Sequence, residues 1–147
     1  MNRPHDPAIM AAWIALHRAS RALLERVEAD LKAADLPPLS WYDVLLEVDR
    51  ARDRPLRQGE LGARMLLAKH GISRLVDRLE RDGLIARQPC PEDQRGHLIV
   101  ITVAGRQLKQ RMWAVYGTSL SRHFGDRLPA GDAARLARLL APLVDME

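Results

Sequence analysis

Two groups of residues in this chain have the types and spacing to touch a polyanion. Lys69, His70, Gly71, Ser73 and Arg74 bring cations, an imidazole, a hydroxyl and a glycine into one short stretch. Lys69 and Arg74 can reach phosphates or the O6/N7 edge of guanine, and His70 and Ser73 can donate or accept beside bases. Gly71 lets the backbone approach closely. Further along, Asp93 and Arg95 stand two apart in a loop from Pro91 to Gly96. An arginine there suits a narrow minor groove, whose enhanced negative potential attracts it. Asp93 can hold its guanidinium in a bidentate pair. Arg87 and His97 flank the loop and can touch phosphates. The plainer alternatives are a solvated helix face for the first group and a local loop salt bridge for the second.

These side chains need a frame. Ile72, Leu75, Val76 and Leu79 fall at i, i+3, i+4 and i+7, one apolar helix stripe, with Arg74, Asp77, Arg78 and Arg81 off it. Gly83 follows Glu80-Arg81-Asp82, where a helix takes a left-handed closing residue. Leu84-Ile85-Ala86-Arg87 then extends, Pro89, Pro91 and Gly96 mark a loop, and Leu98-Ile99-Val100-Ile101 reads as a returning strand. A helix followed by a hairpin with a basic loop is the outline of a winged helix. Upstream, the spacing from Leu61 through Met65 to Ile72 is compatible with one unbroken helix, and only Leu66-Leu67 hints at a turn.

The run SRLVDRLERDGLI, followed by PEDQRG, LIVIT and Gly105, resembles the MarR family of winged helix-turn-helix transcription regulators. The segment LPPLSWYDVL is similar to the start of that family's second helix. The resemblance covers about residues 8 to 146, and Asp93 and Arg95 are specific to it when found together with R-L-V-D-R-L-E. It implies a turn between Met65 and Ile72, which makes Lys69 to Arg74 the leading end of a recognition helix. The family favours a hydroxyl residue at that helix start, where this chain has Ala68, and Arg57 ahead of the third helix is a poor cap. Each missing cap forgoes about 1 kcal/mol.

The remaining elements are helical. An amphipathic helix is expected from about Pro7 to Ala34, with Trp13, Leu16, Ser20, Leu23, Leu24, Val27 and Leu31 along it. Leu36-Pro37-Pro38-Leu39 ends it. Ser40 is read as the cap of a second helix with Asp43 at its third position, and Val44, Leu45 and Val48 face inward. Leu56 to Met65 is the third helix. Thr102 is the expected cap of a helix from about Ala104 with Leu108, Met112, Val115 and Ser119 on its inner face. A last helix from about Ala130 carries Leu136, Leu139, Leu140 and Leu143. The fold class is therefore mainly α with a small β-hairpin wing. Residues 1–147 form one domain, with a winged-helix DNA-binding lobe over 40–103. The terminal helices, 8–34 and 104–146, carry more apolar surface than a small lobe can cover, and the resemblance implies that they interlace with a second subunit as a homodimer.

With 147 residues, 47% hydrophobic and only 4% aromatic, the chain is long enough for one aliphatic core. Its net charge of +4 favours polyanionic partners. A single cysteine excludes an intrachain disulfide and fits a reducing compartment. No run approaches the ~20 apolar residues of a membrane span, and a cytoplasmic location is expected. The five histidines show no i,i+4 pairing. Neither H-E-x-x-H, Cys/His zinc spacing, P-loop nor G-x-G-x-x-G is present, so neither a metal site, a cofactor site nor an enzyme is indicated.

Trp13, His17, Trp41 and Tyr42 are the aromatic and imidazole set outside the last helices. In the resembled family a small aromatic acid or phenol binds between the dimerisation helices and the DNA-binding lobe; simple core packing is the alternative. Cys90, between two prolines, is either incidental or a redox thiol activated by Arg87 and His97. The sequence thus reads as a homodimeric repressor that binds a palindromic operator in double-stranded DNA and releases it on binding a ligand. The alternatives are a dimeric helical interaction module without DNA binding, and a regulator switched through Cys90.

Overall fold

The computed structural model describes residues 6–67 and 70–145, with the backbone alone at 94 and 95. Among these residues the order is α1 (Pro7–Ala33), α2 (Leu39–Arg50), α3 (Gln58–Arg64), α4 (Ile72–Arg81), β1 (Ile85–Cys90), β2 (Asp93–Ile101), α5 (Val103–His123) and α6 (Asp132–Val144), with a 3₁₀ turn at Gly125–Arg127. The mainly helical chain with one hairpin is the expected class. It divides into two compact units. One holds Leu31–Val115, and the other Met1–Asp30 with Tyr116–Glu147. The winged unit thus takes in more than the expected 40–103, because α1 and α5 each contribute to both units.

In the winged unit the core is aliphatic. Val44, Leu45, Leu61, Val76 and Leu79 are fully buried, with Ile85, Ile99 and Met112 beside them in the same class. Asp35 takes a left-handed φ of 57° as the amide of Leu36 reaches back 2.9 Å to the carbonyl of Leu31, which ends α1. Aspartate tolerates this conformation better than most residues. Ser40 is not the cap of α2. Pro38 holds that place with an extended backbone, and the amide of Trp41 bonds its carbonyl at 3.0 Å. The helix begins two residues earlier than expected, at Leu39, and Asp43 is left free for another task.

Leu56 is not helical either. It forms a one-residue bridge to β2, with the amide of Ile99 donating to its carbonyl at 2.9 Å. Consequently α3 is shorter than the expected Leu56–Met65. Downstream, Gly83 closes α4 at φ 76°, as its position in the sequence requires. Thr102 caps α5 as expected. Its hydroxyl accepts from the amide of Gly105 at 3.0 Å and donates to the carbonyl of Gly83 at 2.7 Å. Lys109 and Arg106 of α5 both pair with Asp49 of α2, Arg106 at 3.6 Å. The hydrogen bond from Lys109 is the main reason the Asp49 carboxyl lies below its ordinary range.

The other unit is built on Asp30. Its Oδ2 accepts from the buried Ser119 hydroxyl at 2.7 Å and from Arg122 at 2.9 Å, and lies 3.0 Å from His123 Nε2. Ser119 on the inner face of α5 is as expected. Of α6, no described residue is buried. Pro142 does not shorten that helix, which runs on to Val144. Among the described residues no helix is long and apolar enough to cross a membrane.

Two glycines separate crowding from backbone freedom. A Cβ on Gly105 would stand 2.1 Å from the Leu84 carbonyl oxygen, whereas one on Gly59 would meet nothing within 4 Å. Gly105→Ala should lower the unfolding free energy by about 1–3 kcal/mol, the cost of overpacking. Gly59→Ala, in the first turn of α3, should raise it by up to about 0.5 kcal/mol, the low end of the interior-helix effect. Urea unfolding of both variants checks this, and a Gly105→Ala protein as stable as the parent would reject the close approach of α5 to Leu84.

Candidate nucleic-acid interface

The break between α3 and α4 has a physical cause that the apolar spacing does not contain. Met65 leaves the helix at φ −60°, ψ 132°. The amide of Leu67, which in a continuous helix would bond the carbonyl of residue 63, donates instead to Asp43 Oδ2 at 2.9 Å. Asp43 is 5% exposed, so this carboxylate reaches the turn from inside the unit. Gly71 then sits at φ 76° and its carbonyl accepts from Leu75, so α4 starts at Ile72. The unbroken helix is excluded.

On α4 the stripe behaves as its spacing demands. Val76 and Leu79 are buried, Ile72 and Leu75 half-buried, and Ser73, Arg74, Asp77, Arg78 and Arg81 exposed. Of the five residues expected at the leading end of this helix, only Ser73 and Arg74 belong to it. His70 and Gly71 are exposed in the turn before it, and Lys69 lies outside the described residues. Arg78 stands over the Trp41 ring, 5.9 Å from its centre, and 3.4 Å from Asp82. Arg74 enters none of the ion pairs formed among the described residues.

The wing is a two-stranded antiparallel hairpin. Ile85 pairs with Ile101 and the register holds to Pro89 opposite His97, but Cys90 pairs with Asp93. Residues 94–96 are therefore extra on β2 and form a bulge, and the turn proper is Pro91-Glu92. The expected loop from Pro91 to Gly96 is thus mostly strand. Arg95 lies on the bulge, and its side chain, with the expected Asp93–Arg95 pair, is outside the described residues. His97 is exposed on β2.

Arg87 is not available as a phosphate contact. Its guanidinium donates to Asp77 at 2.7 Å and Glu80 at 2.8 Å on α4, and to Gln58 at 3.3 Å on α3. The Asp77 bond is the largest cause of its raised pKa. A second arginine, Arg57, was legible only as a residue that cannot cap. The cap is supplied from the other side: Glu60 accepts from the Arg57 amide at 3.2 Å. The freed guanidinium crosses to the wing, 3.2 Å from Cys90 Sγ and 3.7 Å from Asp93. Cys90 is buried, and its thiol is pushed down chiefly by the backbone amide of Glu92 and then by Arg57. Arg87 and His97, the cations expected beside it, do not do this. Asp43, Arg57 and Gln58 are the residues that sequence reasoning missed.

The expected ligand set divides between the units. Trp13 and His17 meet edge to face at 4.3 Å on α1, beside a surface groove of about 390 Å³ that also takes in Arg18 and Arg21. In the winged unit Tyr42 is buried and stacks on Trp113 with ring centres 6.1 Å apart, so its ring is core. Trp41 carries Arg78 as described.

A break-jointed helix pair followed by a hairpin that packs on the second helix defines a winged helix-turn-helix protein. Comparisons with known proteins carry this further. Residues 34–96 match the MarR family model. The HTH-type transcriptional regulator YkoM of Bacillus subtilis is 25% identical over 112 residues, which cover 76% of this chain and 71% of YkoM. The crystal structure of AbsC, a MarR family transcriptional regulator from Streptomyces coelicolor, superposes with a TM-score of 0.84 at 25% identity, covering 98% of this chain and 97% of AbsC. Sco3205, a regulator of the same family and organism solved in complex with DNA, has a TM-score of 0.86 at 22% identity over 99% of this chain and 91% of its own. Residues 34–96 thus match the MarR family, and the chain has the fold of that family's winged-helix transcription regulators, which are not enzymes.

Proposed function

We propose that this protein binds double-stranded DNA as a homodimer and acts as a cytoplasmic, ligand-responsive repressor at a palindromic operator. The observation that carries DNA binding is the outward face of α4. It presents Arg74, outside every ion pair among the described residues, next to a turn holding His70 and Gly71, with the bulged wing following in the same unit. Sco3205, which shares the fold, was solved on DNA. In this reading Ser73, Arg74, His70, Gly71 and Lys69 address the major groove. Arg95 enters the minor groove, with Asp93 and His97 beside it, while Arg87 has a structural role.

Dimerisation is supported by apolar surface left uncovered in the helical unit. On α1, Ile9, Met10 and Trp13 are 49–60% exposed, and on α6 Leu139, Leu143 and Val144 are 55–81% exposed. Large apolar side chains left this exposed on two helices suit an interface. A palindromic site follows from two-fold symmetry, because each half-site meets one copy of α4. Ligand response is supported by the groove on α1, where Trp13 offers an aromatic face and Arg18 and Arg21 offer charge to a small aromatic acid.

The major and minor grooves give different signatures. Arg74→Ala should cost about 1–3 kcal/mol on the best duplex selected from a random pool, and much less on random DNA, as loss of a base contact would. Arg95→Ala should weaken both by similar factors and lower the salt slope by about 1. Equal effects on both DNAs from Arg74→Ala would remove its base-reading role. No effect from either would favour the helical interaction module.

Assembly is read by sedimentation. Leu139→Glu with Leu143→Glu should convert a dimer into a folded monomer; a parent that is already monomeric rejects the shared interface. For the ligand, salicylate should quench tryptophan fluorescence saturably and weaken DNA binding, since a ligand shifts an equilibrium only through differential affinity. Quenching that persists undiminished in Trp13→Phe would place the ligand elsewhere.

A further inference from the structure

The bulge in β2 is an unusual place to find a guanidinium. Three extra residues on one strand leave backbone unpaired and bend the strand, so the position of whatever the bulge carries depends on what fills it. Here the filler comes from outside the hairpin. Arg57, the residue before α3, reaches Cys90 Sγ at the end of β1 and Asp93 at the start of β2. It also lies against Gly96, where an added Cβ would stand 3.5 Å from Arg57 Cζ and 3.6 Å from Cys90 Cβ. These three residues bound the bulge on both strands and at both of its ends. The backbone of Arg57 is fixed independently by Glu60. Next in the chain on its other side, Leu56 is bonded to Ile99 of β2. Both ends of the link are therefore anchored, one in the helix-turn-helix and one at the wing tip.

We propose that Arg57 is the positioning residue of the wing, and that its guanidinium, lodged among Cys90, Asp93 and Gly96, fixes the bulge on which Arg95 lies relative to α3 and α4. A side chain that must reach a groove needs its backbone placed to a fraction of an ångström, and a bare two-stranded hairpin does not hold that on its own. A hydrogen bond to Cys90 on one strand and an ion pair with Asp93 on the other hold the tip in two directions, which a lysine ammonium at the same place would not match in geometry. The thiol of Cys90 enters as an acceptor, which accounts for a buried cysteine in a polar wing. The inference rests on the reading of the protein as a DNA-binding winged helix.

The test uses the full chain on the tightest-bound duplex selected from a random pool. Protection of guanine N7 from methylation reports α4 in the major groove, and hydroxyl-radical cleavage reports the wing at the flanks. Failure of the parent to select or protect any duplex would remove the DNA-binding reading itself. Given a protected duplex, Arg57→Met should keep the central N7 protection and lose the flanking protection. Asp93→Asn should weaken the same flanks, and the double variant should be no worse than Arg57→Met alone, since both remove one link. If Arg57 instead touched DNA directly, Asp93→Asn would strengthen binding by removing a negative charge, and the double variant would fall between the two. That pattern overturns the proposal, as does retained flanking protection in Arg57→Met. If circular dichroism finds Arg57→Met unfolded, the isosteric substitution Asp93→Asn at a half-buried position decides alone: weaker flanking protection supports the proposal, and unchanged or stronger protection overturns it.

Discussion

Everything in the winged unit depends on where Arg87 puts its charge. Its side chain is 23% exposed, and a cation so withdrawn from water is stable only among partners that compensate the lost hydration. Asp77 and Glu80 on α4 and Gln58 on α3 provide them, while Arg87 itself belongs to β1. One guanidinium thus obliges two helices and the hairpin to close on a single point. It has an electrostatic effect as well. Asp77 is exposed on the same face of α4 as Arg74, where a bare carboxylate would repel a phosphate backbone. The ion pair with Arg87 offsets that charge without removing the residue.

The root of the hairpin is fixed by shape rather than charge. Gly83 turns the chain at φ 76°, Leu84 donates back to Leu79, and Thr102 donates its hydroxyl to Gly83 while capping α5. Gly105 lets α5 pass so close to Leu84 that a methyl group would overlap its carbonyl oxygen. The hairpin is held at its root by packing and at its middle by Arg87. Its tip, beyond the register shift at Pro89, is beyond the reach of both. Arg57 meets that last requirement, and it is the contact on which the bulge depends.

Local signals in the sequence reported local structure well. The stripe from Ile72 to Leu79, the closing glycine at 83, the returning strand and the Thr102 cap were all legible, because each is decided by neighbours a few residues away. What was not legible turned on side chains that act across the chain. The break after Met65 depends on Asp43, which sits 24 positions before the Leu67 amide it accepts from, and from spacing alone Asp43 looked like a partner for Ser40. Leu56 looked helical because its bridge to Ile99 is non-local. Arg87 read as a phosphate contact and Arg57 only as a poor cap, because nothing in their own segments reveals the carboxylates and the thiol that receive them. Arg57 did leave one trace: a residue without a capping oxygen in a capping position.

That division bears on what the positive charge of the chain means. A net charge of +4 suggests a surface that attracts polyanions, yet many of the cations are engaged internally. Arg57 and Arg87 hold the wing, Lys109 and Arg106 meet Asp49 between α5 and α2, and Arg122 meets Asp30 in the helical unit. Each of these pairs is locally near neutral and adds little to a long-range field once salt has screened it. On α4, Arg74 and Arg81 are exposed and outside those pairs, and Arg74 lies beside a carboxylate, Asp77, that is already compensated. In the proposed DNA-binding role, what counts is which charges the fold leaves outside ion pairs among the described residues, and the same composition with Arg74 paired and Arg87 free would present a different surface at an identical net charge.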